Sequence, residues 1–235
     1  MDCTTVLLIY NEEQNIRPLT ENIIDVYQKN KISGEILLVD DGSNDNSPKV
    51  CDTLASKNKY VKTIHHSTNK GRSYAIQTGF KHANGDVIIL MDCDRQYNPY
   101  EIPLFLKKIN DGYDVISGLR THRADIFTRK LISRVYNHLI IQRSLNLDIK
   151  DQNSGFKAFK KKAAQGMNFN PDGYAGLHRF ILPLAKINGY SITEIPISHY
   201  PRPAGKSYIK SYTVPIITFL DYVKFRKEYS MMRHK

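Results

Sequence analysis

Val87-Ile88-Ile89-Leu90-Met91 runs straight into Asp92-Cys93-Asp94-Arg95-Gln96. A short, unbroken apolar run of this kind reads as a strand buried on both faces. Directly after it comes a D-x-D: two hard oxygen donors two residues apart, with the Gln96 carbonyl just beyond. Such donors suit Mg²⁺ or Mn²⁺, which takes one or two carboxylates and fills its other positions with phosphate oxygens and water. Most isolated D-x-D tripeptides are turns or caps. Here the strand in front fixes where the two carboxylates must lie.

The same pattern repeats outward from this stretch. Thr4–Ile9, Glu35–Val39, Val61–His65 and Asp114–Ser117 are further predicted strands. Helices are predicted between them: Asn11 caps one that runs to about Asn30, and Pro48 opens one to about Lys57. Two more run from about Ser73 to His82 and from Pro99 to about Asn110. Alternation of this kind predicts an α/β fold whose mainly parallel sheet is covered on both faces. Ligands of such sheets bind beyond the carboxyl ends of the strands. Three acidic groups fall there: Tyr10-Asn11-Glu12-Glu13, Asp40-Asp41-Gly42-Ser43 and Asp92-Cys93-Asp94. Clustered acid is costly unless a cation or polar ligand offsets it. Asn69-Lys70-Gly71-Arg72 opens a helix after the third strand, where N–H groups and two cations can meet a phosphate or sugar; a plain turn and cap is nearly as good a reading. No G-x-G-x-x-G and no G-x-x-x-x-G-K-[ST] is present, which speaks against a dinucleotide fold or a P-loop.

The chain has 235 residues, 41% apolar and 24% charged, enough for a folded domain with a real core. Its longest clean apolar runs, Val87–Met91 and Val214–Leu220, fall far short of the roughly 20 residues of a membrane span. The N-terminus lacks a basic region followed by an apolar stretch and cleavage site, so a cytoplasmic location is expected. Three scattered cysteines fit a reducing compartment rather than a disulfide framework. The net charge of +11 is uneven: residues 1–110 carry 13 Lys+Arg against 14 Asp+Glu, residues 111–235 carry 21 against 9. The second half is therefore expected to meet an anion. It predicts a long helix over Ala124–Leu145, a strand at Phe156–Phe159, a helix over Leu177–Lys186, a strand at Ser191–Ile197, a loop at 201–207 and a terminal helix over Thr213–Tyr229. No repeat, low-complexity tract or linker separates the halves.

Together the Y-N-E-E, D-D-G-S, N-K-G and D-x-D-x-Q motifs, in this order, resemble the family 2 glycosyltransferases and their GT-A nucleotide-sugar fold. Downstream, Ser117-Gly118-Leu119-Arg120, Ile132-Ser133-Arg134, Asp151…Ser154-Gly155-Phe156-Lys157, Gly176-Leu177-His178-Arg179-Phe180, Glu194-Ile195-Pro196-Ile197 and Arg202…Gly205-Lys206-Ser207 are similar to the polyprenyl-phosphate sugar synthases, the branch that includes dolichyl-phosphate mannose synthases. The resemblance implies one domain over residues 1–235, with 1–118 the nucleotide-sugar-binding half and 119–235 the acceptor-binding half. It implies that Tyr10 and Glu12 line the nucleotide pocket, with Lys70 and Gly71 at its phosphate side, and that Asp40 or Asp41 reads the base. Asp92, Asp94 and Gln96 would hold the diphosphate and its metal. Arg120, Arg134, Arg202 and Lys206 would bind the phosphate of a polyprenyl (dolichyl or undecaprenyl) acceptor at the cytoplasmic membrane face, with attachment through the membrane surface or a membrane-protein partner. Arg95 stands where the pattern has an apolar residue, and the C-terminal transmembrane segments of many members have no counterpart here.

Two other readings compete. A non-processive family 2 enzyme acting on a sugar hydroxyl would need a base near its acceptor and no arginine cluster; the processive branch carries Q-x-x-R-W, and this chain has no Trp. A binding module for RNA or anionic membrane fits the charge, but no nucleic-acid motif is present and the D-x-D-x-Q would have no purpose. His65, His66, His178 and His199 are given no role, and Asp151 only that of orienting a cation or the acceptor.

Overall fold

A computed structural model describes residues 1–121, 149–172, 174–205 and 219–227. Among these residues seven strands form one sheet: β1 (Cys3–Ile9), β2 (Gly34–Asp40), β3 (Val61–His65), β4 (Val87–Asp92), β5 (Val115–Arg120), β6 (Lys157–Lys160) and β7 (Ile192–Ile197). Their order is β3-β2-β1-β4-β6-β5-β7. Among the described strands only β6 runs antiparallel to its neighbours. Helices α1 (Glu13–Lys29), α2 (Ser47–Lys57), α3 (Arg72–His82) and α4 (Ile102–Asn110) connect the first five strands.

The central strands β1, β2 and β4 are buried along nearly their whole length and are largely apolar, because both faces are covered. Val6 of β1 and Ile88 and Leu90 of β4 pack with Phe80 of α3 on one side. Leu7, Ile9, Ile89 and Met91 pack with Ile16, Leu19 and Ile23 of α1 and Phe105 of α4 on the other. Burial of Ile16, Leu19, Ile23 and Val26 at three- and four-residue spacing gives α1 its inward stripe.

Several expected boundaries move, for local reasons. Asn11 does not cap α1: it has φ 54° and accepts from the Asn44 N–H at 2.8 Å, so the helix starts at Glu13. The helix expected from Pro99 begins as a 3-10 turn, Pro99–Glu101, before α4. That expected over Leu177–Lys186 is a 3-10 segment, Ala175–Phe180, followed by Ile181–Ile187. In both, a proline in the first α-turn (Pro103, Pro183) has no N–H with which to extend the α-pattern backwards. A short helix at Lys161–Gly166 had no sequence expectation. The helix expected over Ala124–Leu145 lies outside the described residues, and residues 219–227 are helical.

The main departure is β6, which inserts between β4 and β5. Its register pairs Leu90 with Lys157, so the preceding Ser154-Gly155 turn comes to lie beside Asp92. Parallel register does the rest: Asp40 lies opposite Ile9 and His65, and Asp92 opposite Leu8. The acidic groups read from sequence thus share one edge of the sheet.

Candidate active site

Asp92 ends β4 and Asp94 turns back beneath it, its Oδ1 accepting from the Gln96 N–H at 3.1 Å. Arg95 between Asp94 and Gln96 adopts φ 58°. Asp94 is buried, and that burial, together with the nearby charge of Asp92, pushes its carboxyl up to about 6. Such a site calls for positive charge. Two arginines supply it. Arg72, first residue of α3, places Nη1 2.6 Å from Asp92 Oδ1. Arg202 spans two carboxylates, Nη1 at 2.6 Å from Glu12 Oε1 and Nη2 at 3.0 Å from Asp94 Oδ2.

The placement of Arg202 follows from its loop. Tyr97 and His199 form an antiparallel bridge, the Tyr200 N–H donates to Gln96 O at 2.8 Å, and Gln96 Nε2 donates to Tyr200 O at 3.0 Å. Residues 199–200 are thereby laced to the D-x-D-x-Q turn. Farther along, buried Asn15 donates to both Glu12 Oε2 (2.6 Å) and Ala204 O (3.2 Å).

The Asp40-Asp41 pair is built into a different corner. Asp40 Oδ2 meets His65 Nδ1 at 2.9 Å, and its Oδ1 accepts from the Ser43 N–H at 3.1 Å. Burial works against a charge on His65, but Asp40 and Asp52 outweigh it, so its pKa lies above that of ordinary imidazole. Asp41 accepts from the N–H groups of Lys70 (2.9 Å) and Gly71 (2.8 Å) and lies 2.7 Å from His66 Nδ1. The turn that opens α3 thus directs these two N–H groups onto Asp41. Gly42, with φ 67°, lets the 68–69 backbone approach so closely that a Cβ would stand 2.3 Å from the Thr68 carbonyl carbon. Asp40, Ser43, Asn44, His65, His66 and Asn69 are among the residues that line a cavity of about 400 Å³ here. Tyr10 follows β1 at the same edge, half-buried.

On the far side of Asp92, Arg120 ends β5 and holds Asp151 bidentately, Nε to Oδ2 at 2.6 Å and Nη2 to Oδ1 at 2.8 Å. Glu194 of β7 accepts from the N–H groups of Lys150 and Asp151, each at 2.8 Å, and so fixes the loop that carries Asp151. Lys157 is buried nearby and donates to Ser154 O. Burial pulls its ammonium down to about 7, Asp151 opposing that shift and Arg72 and Arg120 adding to it. Loss of the Asp151 charge would leave these cations under-compensated in a dry setting. Asp151→Asn is therefore expected to lower the unfolding free energy by about 3 kcal/mol. Adding Arg120→Met should recover part of that loss in urea titrations; strictly additive losses would refute the coupling.

Of the residues singled out by sequence, Glu12, Asp92, Asp94, Gln96 and Arg202 come together directly. Asp40 lines the cavity, Asp41 next to it takes the Lys70 and Gly71 N–H groups, and Arg120 lies at the end of β5. Arg134 and Lys206 lie outside the described residues. Sequence reading missed Arg72 as partner of Asp92, Glu194 as anchor of the Asp151 loop, and the contact of Gly155 with Asp92. The E-I-P-I and S-G-F-K motifs were the available signals, but neither carries a role until β6 and β7 are paired.

Among the described residues, no group of three or more His, Cys, Asp or Glu side chains forms a cage for a metal ion. Two carboxylates and an amide, with Asp94 held out of water beside Asp92, instead fit a divalent cation that completes its shell with ligand oxygens. Asp92, Asp94 and Gln96 are the residues that would hold it.

An α/β sheet with a D-x-D turn at its carboxyl edge and a polar cavity at the ends of β2 and β3 has the layout of a GT-A fold. Residues 4–167 match the model of "Glycosyl transferase family 2", and the chain belongs to that family, making it a glycosyltransferase. Its fold is similar to that of a mannosyltransferase from Pyrobaculum calidifontis, solved with GDP-mannose and Mn²⁺, at TM-score 0.70 and 16% identity; the match covers 96% of this chain and 64% of that one. It is also similar to glucosyl-3-phosphoglycerate synthase from Mycobacterium tuberculosis, solved with Mn²⁺, UDP and glucosyl-3-phosphoglycerate, at TM-score 0.68 and 17% identity, over 94% of this chain and 79% of that one. At these identities the likeness concerns the fold.

Proposed function

We propose that this protein transfers a hexose, with inversion, from a nucleoside-diphosphate sugar to a polyprenyl phosphate at the cytoplasmic face of a membrane, in a Mg²⁺- or Mn²⁺-dependent reaction. One observation carries the acceptor assignment: the guanidinium of Arg202 lies 3.0 Å from Asp94. A cation fit for an acceptor phosphate thus abuts the carboxylate fit for the donor's diphosphate and metal. The similar structures solved with GDP-mannose and with UDP support a nucleotide-sugar donor.

In this reading the cavity by Asp40, His65 and His66 takes the base, Glu12 and Tyr10 line the nucleotide path, and Asp92, Asp94 and Gln96 hold the diphosphate end. When bound, the divalent cation neutralises charge on the departing diphosphate. Arg202 brings the acceptor phosphate beside that anionic donor, using the bidentate geometry of guanidinium, and Arg120, its fork held by Asp151, adds positive charge to the same acceptor set. Arg134 and Lys206 belong to the same acceptor set by sequence. An acceptor oxygen attacks the anomeric carbon, the new C–O bond forms, and the bond to the diphosphate breaks with its electron pair leaving on the nucleotide. A phosphate with a second pKa of about 6 is already ionised at pH 7 and needs no strong base. The acidic side chains on this side accord with that: Asp151 is engaged by Arg120, and Glu194 by two backbone N–H groups.

No helix of the described residues is long and apolar enough to cross a membrane. In the helical residues 219–227, Phe219, Leu220 and Val223 are exposed alongside Lys224, Arg226 and Lys227. Apolar and cationic side chains side by side support contact with an anionic bilayer surface.

The test is transfer of radiolabel from a panel of GDP- and UDP-sugars into organic-extractable lipid, with polyprenyl phosphate and Mn²⁺ or Mg²⁺. Label in the lipid phase that disappears with EDTA is expected. Metal-dependent nucleotide-sugar binding without lipid label for any donor would refute the lipid-phosphate acceptor and point to a hydroxyl.

A further inference from the structure

Arg202 raises a conflict of charge. Its two Nη atoms sit on Glu12 Oε1 and Asp94 Oδ2 at 2.6 and 3.0 Å. Both carboxylates are buried, and Asp94 is one of the groups fit to bind a divalent cation. A guanidinium and a metal ion cannot share one carboxylate oxygen at contact distance without strong repulsion. Residues 201–205 have no helix or strand, and beyond the 199–200 bridge polar contacts tie them down: the two arginine contacts and the Asn15 to Ala204 hydrogen bond.

We propose that Arg202 is an internal counter-cation: it balances Glu12 and Asp94 in the metal-free site, is displaced when the metal-bearing donor binds, and is thereby released to the acceptor phosphate. Metal and acceptor binding are then coupled through this one side chain. The acceptor half of this inference rests on the function proposed above; the metal half does not. Linkage requires reciprocity: whatever donor and metal add to acceptor affinity, the acceptor adds to theirs. The device also keeps Asp94 from standing uncompensated beside Asp92 between turnovers.

The first arm is titration of the full chain with Mn²⁺ alone, followed by the loss of the free-ion paramagnetic resonance signal. Arg202→Met keeps the aliphatic stem and removes the charge. It is expected to bind Mn²⁺ about tenfold more tightly than the unaltered protein, although transfer is lost. Arg202→Lys, which cannot span both carboxylates, should fall between the two and stands in if the methionine variant does not fold. Amide exchange at 202–205 in the unaltered protein should quicken on adding Mn²⁺. Equal or weaker Mn²⁺ binding by both variants, at unchanged thermal unfolding, would overturn the displacement.

The second arm is binding of a short-chain polyprenyl phosphate with and without saturating Mn²⁺ and nucleoside diphosphate. About tenfold tighter binding in their presence is expected, with the gain absent in Arg202→Met. Equal binding in both states would overturn the coupling. No binding in either state, with the Mn²⁺ result intact, would overturn the lipid-phosphate acceptor and leave the displacement standing.

Discussion

Asp94→Asn is expected to cut sugar transfer by about a thousandfold or more while leaving the fold intact, because a preorganised charge at the leaving group is among the largest single contributions to such catalysis. Asparagine keeps the shape of the turn and an acceptor for the Gln96 N–H, 3.1 Å away in the native protein. It also relieves the cost of holding a carboxylate in a buried position beside Asp92. The metal-free variant should therefore unfold at the same temperature or slightly higher, an outcome opposite in sign to that of general damage. The native carboxyl titrates near 6, raised by burial and by Asp92, so it is protonated below that pH and ionised above it. An acid whose folded pKa is raised weakens the metal-free protein as pH climbs through the interval between its unfolded value and about 6. Cation binding requires the ionised form. Apparent Mn²⁺ affinity should accordingly fall as pH drops below about 6, approaching tenfold per pH unit, and level off above it. Isothermal titration from mildly acidic to mildly basic pH checks this. A flat profile, or a variant with near-native turnover, would remove Asp94 from the metal site.

Gly155→Ala is the second large expectation, about a hundredfold in kcat/KM with little change in stability. A Cβ at this position would stand 2.0 Å from Asp92 Oδ2 and 2.5 Å from its Cγ. The group in the way is the end of a short side chain rather than backbone, so the carboxylate can swing aside and the sheet need not move. The atom that shifts is a donor oxygen of the proposed metal site, and misplacement by about 1 Å costs on the order of a hundredfold. The Gly155 N–H donates to the Tyr97 hydroxyl at 2.6 Å, so a retreat of the backbone would cost this buried hydrogen bond. Steady-state kinetics with a thermal melt reads both quantities. Native activity would mean that Asp92 tolerates displacement and is not a ligand. A large drop in melting temperature would mean that the clash is taken up by the β4–β6 pairing.

The two variants probe features of different origin, and that difference marks how much was legible in the sequence. Val87–Met91 and its companions announce themselves through composition alone, because a strand covered on both faces must be apolar at every position. The carboxylates at the ends of such strands inherit a location from them, which is why Glu12, Asp40, Asp41, Asp92 and Asp94 could be read from the chain. Helix ends were less legible: Asn11 looked like a cap, yet its side chain bonds the Asn44 N–H across the site. Family membership, too, was written in the order of short motifs.

None of this reaches contacts made across the sheet. Lys157–Lys160 is four residues long, and nothing in its composition says that it runs antiparallel between β4 and β5. Only that insertion sets Gly155 against Asp92 and gives Glu194, opposite Ser117 in the β5–β7 register, the Asp151 loop to hold. Arg202 meets Glu12 across 190 positions of sequence. Local periodicity encodes which face of an element is buried. The partner of a polar side chain is decided by how whole elements pack, through burial summed over distant residues, and so the carboxylates and the arginines were readable from the chain while their pairing, Arg72 with Asp92 and Arg202 with Glu12 and Asp94, emerged only from the folded molecule.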